Sequence, residues 1–146
     1  MGGLSSGHLT ISSSTITENT ADLGAGGGIY GETTLQNSIL ANNSKENCNT
    51  TLRSKGYNLS SDGSCHFNGP SDLNNTDPLL GPLQNNGGPT QTMALLPGSP
   101  AIDAGNPSGC PDSNGHLLTT DQRGRPRPDK EDAGGCDMGA YERQSD

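Results

Sequence analysis

Two segments of this chain repeat one another in register, Ile11 to Thr20 and Leu35 to Ser44. Apolar residues coincide at Ile11/Leu35 and Ile16/Leu40, and polar ones at Ser14/Ser38 and Asn19/Asn43. A repeat of this length marks a solenoid, in which each unit buries its apolar face only by stacking on a neighbour. Leu9 and Ile11 alternate with polar residues, as a half-buried strand does. Gly26-Gly27-Gly28 then reads as a flexible turn entering a short strand at Ile29 and Tyr30. Short strands coiled and stacked at ~4.8 Å make a parallel β-helix. Identical Ser, Thr or Asn residues in successive turns of such a coil can hydrogen-bond to one another.

That architecture suits a chain with little to bury. Leu, Ile, Val and Phe supply only 21 of 146 residues, and Trp is absent. This lies below the ~20% at which disorder becomes a serious alternative. A helical bundle, a membrane span and a doubly wound enzyme all need more apolar mass. The net charge of −8 repels phosphate backbones and excludes nucleic acid as a partner. The four cysteines fall into two local pairs, Cys48 with Cys65 and Cys110 with Cys136. They form no CxxC and no metal-binding pattern with His, so the expectation is two disulfides and no zinc, in an oxidising, extracellular or cell-surface compartment. Four Asn-x-Ser/Thr sequons, at Asn42, Asn49, Asn58 and Asn74, are what a chain this rich in Asn, Ser and Thr produces by chance. Met1 is followed by Gly2 and Gly3 with no basic and no apolar signal region, which makes a fragment of a longer secreted precursor the expectation.

The chain divides into residues 1–66, the coils, and residues 67–146, a closing coil and irregular cap of the same domain. Leu52 and the run Tyr57-Asn58-Leu59 suit one more irregular coil, tied by Cys48 and Cys65. Beyond Gly69, Asp77-Pro78, Gly81-Pro82, Gly88-Pro89 and Pro97-Gly98 signal turns, so this stretch wraps or closes rather than stacks. Met93 to Leu96 and Ala101-Ile102 are its expected buried anchors. Asp121 to Asp137 mixes four positive and five negative charges, which reads as a solvated, self-compensating loop.

Leu9 to Ala21, Gly26 to Tyr30 and Asn37 to Ala41 resemble coils of bacterial right-handed parallel β-helix surface proteins. The stretches Asn75 to Gln84, Asn86 to Thr90, Leu95 to Gly105, Asp121 to Gly124 and Cys136 to Glu142 resemble the C-terminal part of the "choice-of-anchor" β-helix family. Its coils are similar to those of polymorphic outer-membrane proteins and adhesins. The resemblance spans roughly the whole chain and is strongest from Asp77 to Glu142. It implies an all-β fold, a short right-handed parallel β-helix of about two to four coils with an irregular, turn-rich C-terminal cap. It also implies a secreted or surface location and a longer parent protein. It implies no particular activity.

Many β-helix proteins bind or cut acidic polysaccharides, so paired carboxylates matter first. A glycosidase needs two of them facing a sugar, ~5–5.5 Å apart for retention or ~6.5–9.5 Å for inversion. Glu18, Asp22 and Glu32 in the coils are the catalytic candidates. Asn75-Thr76-Asp77 copies a polygalacturonase motif, but Pro78 follows it and none of that family's companion motifs appears, so it reads as a turn. A lyase needs a base beside a uronate, commonly with Ca²⁺. Arg123, Arg125, Arg127 and Lys130 are its candidate bases, and Asp121, Asp129, Glu131, Asp132 and Asp137 its candidate Ca²⁺ ligands. Tyr30, Asp121 and Arg123 are the candidate binding residues. His8, His66 and His116 have no nucleophile in a recognisable elbow, and no other cofactor is expected.

The leading expectation is a surface module that binds a polysaccharide, surface glycan or partner without catalysis. The alternative is a carbohydrate-active enzyme, either a glycoside hydrolase or a polysaccharide lyase. Leu9, Ile11 and Ile16 are expected to form an uncapped first coil showing apolar surface, through which two copies associate as a homodimer.

Overall fold

The computed structural model describes residues 4–24, 26–50, 52–130 and 135–144. Its regular elements are all strands: β1 (Leu4–Ser12), β2 (Thr15–Thr17), β3 (Ile29–Gln36), β4 (Ile39–Ala41), β5 (Arg53–Ser54), β6 (Leu59–Ser60), β7 (Leu80–Gln84) and β8 (Thr92–Leu95). Among the described residues no helix is long and apolar enough to cross a membrane.

Six strands form two parallel three-stranded sheets, ordered β1-β3-β5 and β2-β4-β6. The chain alternates between the sheets, so β1/β2, β3/β4 and β5/β6 make three successive tiers. Ile11 pairs with Leu35 and Ile16 with Leu40, the register that the sequence repeat requires. The step then shortens. Ile39 pairs with Leu59, and Leu59 forms an isolated parallel bridge to Leu73. From tier to tier the sequence separation thus falls from 24 to 20 and then to 14, as the corner bonds Ser14 to Ser38, Ser38 to Asn58 and Asn58 to Asp72 also record. The stretch beyond Gly69, expected to wrap only, begins with one more parallel contact.

Each tier turns at a residue in the left-handed region. Ser13 (φ 47°), Asn37 (φ 55°), Tyr57 (φ 61°) and Ser71 (φ 54°) recur at the same shortening intervals. Such a conformation costs an L-residue roughly 1–2 kcal/mol. Here it swings the chain from one sheet to the other at every tier. The glycine run is no flexible turn. Gly27 and Gly28 are buried, and a Cβ on either would collide with a backbone carbonyl, that of Ser44 or of Asn47.

Between the sheets Ile11, Leu35, Leu40, Leu52 and Phe67 form one core together with the Cys48–Cys65 disulfide, and Leu9 and Ile16 pack on it. Each fully buried Leu or Ile contributes about 1.5–3 kcal/mol. Ile11 is only 8% exposed, and Leu9 and Ile16 are half-buried, so the first tier does not present the apolar surface expected of it. A second core lies on the outer face of the β2-β4-β6 sheet. There Ile39, Ala41 and Leu59 meet Leu95, Ala101 and Met138 of the C-terminal half.

Polar side chains bind the tiers at two corners. At one, Ser38 Oγ accepts the Ser14 N–H (3.2 Å), Asn58 Oδ1 the Ser38 N–H (3.0 Å) and Asp72 Oδ1 the Asn58 N–H (2.8 Å). At the other, Asn43 Oδ1 accepts the Asn19 N–H (3.0 Å), Asn47 Oδ1 the Asn43 N–H (3.2 Å) and Asp62 Oδ2 the Asn47 N–H (2.9 Å). Both rows end on a carboxylate. Burial raises the pKa of Asp62, but hydrogen bonds from Ser64, Asn47 and Ser60 outweigh it and hold the carboxyl below its ordinary value.

The cap contains an antiparallel hairpin, β7-β8, that turn signals alone did not reveal. Pro82 is accommodated because it falls within the irregularity between Leu80 and Leu83, where no ladder N–H is needed. The second disulfide joins Cys110 to Cys136, so both bridges pair as the spacing predicted. The charged stretch differs from expectation. Asp121, Arg127, Asp129 and Asp137 are buried, as is Glu142, and they form an internal latch rather than a solvated loop.

Candidate functional site

The cap covers the outer face of one parallel sheet and leaves most of that of the other open. On β3, Tyr30, Glu32, Thr34 and Gln36 share the outer face because strand side chains alternate. Register places His8 beside Glu32, Thr10 beside Thr34 and Ser12 beside Gln36, with Arg53 of β5 on the far side of Thr34. The result is a polar band across three strands. Tyr30, 53% exposed, stands at one end of it. A cavity of about 190 Å³ is lined by His8, Glu32, Thr33, Thr34 and Arg53. A second, of about 130 Å³, continues from Thr34 to Gln36, Lys55 and the loop Asp112 to Gly115.

The ion pairs among the described residues leave Glu32 and Arg53 unengaged, so the band offers both signs of charge to a ligand. At its edge, Asp112 accepts the N–H groups of Asn114 (2.8 Å) and His116 (2.9 Å), and its other oxygen lies 3.4 Å from His116 Nδ1. The His116 N–H bond leads the contacts that hold the Asp112 carboxyl below its ordinary pKa.

The three candidate catalytic carboxylates are not brought together. Glu32 lies in the band. Glu18 follows β2 in the other sheet, at a left-handed φ of 56°, and lines a groove of about 670 Å³ with Thr15, Thr17, Asn19, Leu83 and Met93. Asp22 is exposed, and its backbone carbonyl accepts Lys45 Nζ at 2.9 Å. Asn75-Thr76-Asp77 is a turn, with Asp77 Oδ1 accepting the Leu79 N–H at 2.9 Å.

Of the candidate binding residues, Tyr30 stands in the open band, while Asp121 and Arg123 belong to the latch. Asp121 accepts the N–H groups of Arg123 (2.8 Å), Arg125 (3.0 Å) and Glu142 (3.0 Å), and it pairs with the Arg123 guanidinium at 2.8 Å. That guanidinium lies 3.7 Å over the Tyr141 ring. Beneath it Arg127 donates to the carbonyls of Asp137 (2.8 Å) and Gly139 (2.6 Å), and its Nε sits 3.0 Å from Glu142. Burial lowers the pKa of Arg127 and raises that of Asp137. Burial also pushes Glu142 up to about 7, against the pull of Arg127.

Of the lyase candidates, Arg125 and Lys130 are exposed, whereas Arg127, Asp121, Asp129 and Asp137 are inside; Glu131 and Asp132 lie outside the described residues. No group of His, Cys, Asp or Glu among the described residues is arranged to hold a metal ion. Sequence reasoning missed His8, Thr34 and Arg53 as neighbours of Glu32. The repeat offset would have placed His8 there, but Arg53 joins through the shortened step. Comparison with family models, with curated proteins and with solved structures finds no match.

Proposed function

We propose that this chain forms the terminal coils and cap of a right-handed parallel β-helix of the choice-of-anchor kind, exported to an oxidising compartment, and that its open polar band binds an extended polysaccharide without cleaving it. The two parallel sheets, paired in the register of the sequence repeat, support the β-helix reading, and parallel crossovers are overwhelmingly right-handed. The two disulfides support export, since such bridges persist outside reducing compartments.

One observation carries the binding reading: Tyr30, Glu32, His8, Thr34 and Arg53 line up across three strands on a face with open cavities. A polymer lying along β3 passes the Tyr30 ring and then Glu32, with His8 on one flank and Arg53 further along on the other. Aromatic stacking and charge-assisted hydrogen bonds are how flat surfaces hold sugar rings and uronates. Glu32 is the one carboxylate that lines the larger of the band's two cavities, whereas both glycosidase mechanisms need two.

Affinity electrophoresis on a panel of neutral and uronate polysaccharides tests this. We expect retardation by at least one polymer, and about tenfold weaker binding for Tyr30→Ala and for Arg53→Ala, since each ~1.4 kcal/mol is a factor of ten. No retardation by any polymer, or retardation that both variants retain in full, overturns the reading. Release of reducing ends from the retained polymer replaces it with the enzyme.

A further inference from the structure

Glu32 sits on β3, the middle strand of its sheet, so its neighbours on both sides belong to this chain, whatever lies beyond β1. Register puts His8 directly beside it and Arg53 on the diagonal, opposite Thr34. Strand spacings of ~4.8 Å across and ~3.3 Å along make that diagonal about 8 Å from backbone to backbone. Glu32 and Arg53 are both exposed, and neither joins an ion pair among the described residues. Each keeps its hydrogen-bonding capacity for a ligand.

Glu32, Arg53, Lys55 and Asp112 are the acidic and basic residues that line the band's two cavities, two of each sign. Asp112 is committed to its own loop, accepting the N–H groups of Asn114 and His116, but its charge remains. The band therefore has no formal net charge, while the whole chain carries −8 at pH 7. A polyanion gains nothing from the balance of the band and meets the repulsion of the rest. Locally the conflict is sharper. A uronate carboxylate only accepts hydrogen bonds, so it seats on Arg53, and there it lies within about a Debye length of Glu32, ~8 Å at physiological salt. That repulsion escapes most of the screening. A neutral sugar has no such conflict. Its hydroxyls donate to Glu32 and accept from Arg53, and bonds to charged groups are the stronger ones.

We propose that the band takes a neutral glycan and rejects polyuronates, and that Glu32 is the residue that sets this choice. The proposal rests on the polysaccharide-binding reading and narrows it. Tyr30 precedes Glu32 by two residues on the same face, so a chain of sugars lying on the Tyr30 ring brings hydroxyls over Glu32. The carboxylate accepts from those hydroxyls and repels an acid in their place. Without its charge, Arg53 and Lys55 are in excess over Asp112, and the band opens to acidic chains.

Affinity electrophoresis on matched polymers tests the proposal: polygalacturonate, the same chain with its carboxyl groups reduced to alcohols, and neutral glucan, mannan and xylan. Glu32→Gln keeps the size of the side chain and removes its charge. Asp77→Asn removes one charge from an exposed turn of the cap and serves as the control for net charge. We expect the parent to bind at least one neutral polymer at least about tenfold more tightly than polygalacturonate. Glu32→Gln narrows that gap about tenfold by gaining affinity for polygalacturonate, a gain that a misfolded variant cannot show, and Asp77→Asn leaves the gap as in the parent. A parent that prefers polygalacturonate to its reduced form and to every neutral polymer overturns the proposal and leaves the binding reading standing. So does a Glu32→Gln variant that discriminates as the parent does. Retardation by none of these polymers overturns both.

Discussion

Asn47 shows how one amide substitutes for missing apolar mass. It is fully buried, and its Nδ2 donates to Leu40 O (3.0 Å), Ser60 Oγ (3.1 Å) and Ser61 Oγ (3.0 Å). Its Oδ1 accepts from Asn43 Nδ2 at 2.9 Å as well as from the Asn43 N–H. Asn47→Ala leaves several buried groups without partners, at about 1–3 kcal/mol for each that water cannot reach. We expect a loss of roughly 2–4 kcal/mol in urea unfolding, against less than ~0.5 for Asn49→Ala on the exposed surface next to it. Equal midpoints for the two variants refute this account. The start of each row was legible, because Ser14/Ser38 and Asn19/Asn43 are identical residues at a fixed offset. Its continuation was not. Asn58, Asp72 and Asp62 continue the rows with other residue types at shorter spacings, and Asn47 intervenes between Asn43 and Asp62 from the same loop as Asn43. Only the folded backbone shows this. The same holds for Tyr57, whose left-handed turn no local residue preference announces.

At the level of elements, the register of β1 on β3 and of β2 on β4 could be read directly, since a one-residue slip would turn every apolar side chain outward. β5 and β6 are two residues each and carry one large apolar side chain between them, Leu59, so hydrophobic periodicity has nothing to act on. Arg53 was invisible as a site residue for that reason. The β7-β8 hairpin escaped because Gly81 and Pro82 mark it as a turn while the irregular ladder tolerates them. The two disulfides hold different elements. Cys48–Cys65 sits inside the tiers, whereas Cys110–Cys136 joins two segments of the cap beside the corner at Asn37, whose Nδ2 donates to the Asp137 carbonyl at 3.0 Å. Replacing both Cys110 and Cys136 by Ser removes ~3 kcal/mol by loop entropy. We expect the loss to be local. Hydrogen exchange in residues 95–105 and 136–142 speeds up well before that of β3 and β4. Uniform acceleration across all the strands refutes a separable cap.

For the whole molecule, the latch sets the pH response. Glu142 is raised to about 7 by burial, from an ordinary value of 4.5. Between those values the native chain holds a proton that the unfolded chain has lost, so stability falls as pH climbs from 4.5 to 7. The effect is at most about 3 kcal/mol. Asp137, also raised by burial, acts with the same sign. We expect the urea midpoint of the parent to be higher at pH 5 than at pH 7, and the difference to shrink in Glu142→Gln. A parent midpoint that rises over this interval, or an undiminished slope in the variant, contradicts it. Mixed charge in Asp121 to Asp137 was visible in the sequence; its burial was not, because the cover comes from Cys136 to Glu142 folding back over it. A different property follows from the shortening of the step between tiers, from 24 to 20 and then 14, at constant strand pairing. The loops between tiers are not measured by the fold; only the strands are. Leu23 is 93% exposed and a Cβ on Gly24 would touch nothing, and closing a loop twice as long costs only ~0.6 kcal/mol more. The turn at Leu23-Gly24 is thus a natural place to graft a foreign peptide, which the stack would carry outward as a display scaffold carries its insert.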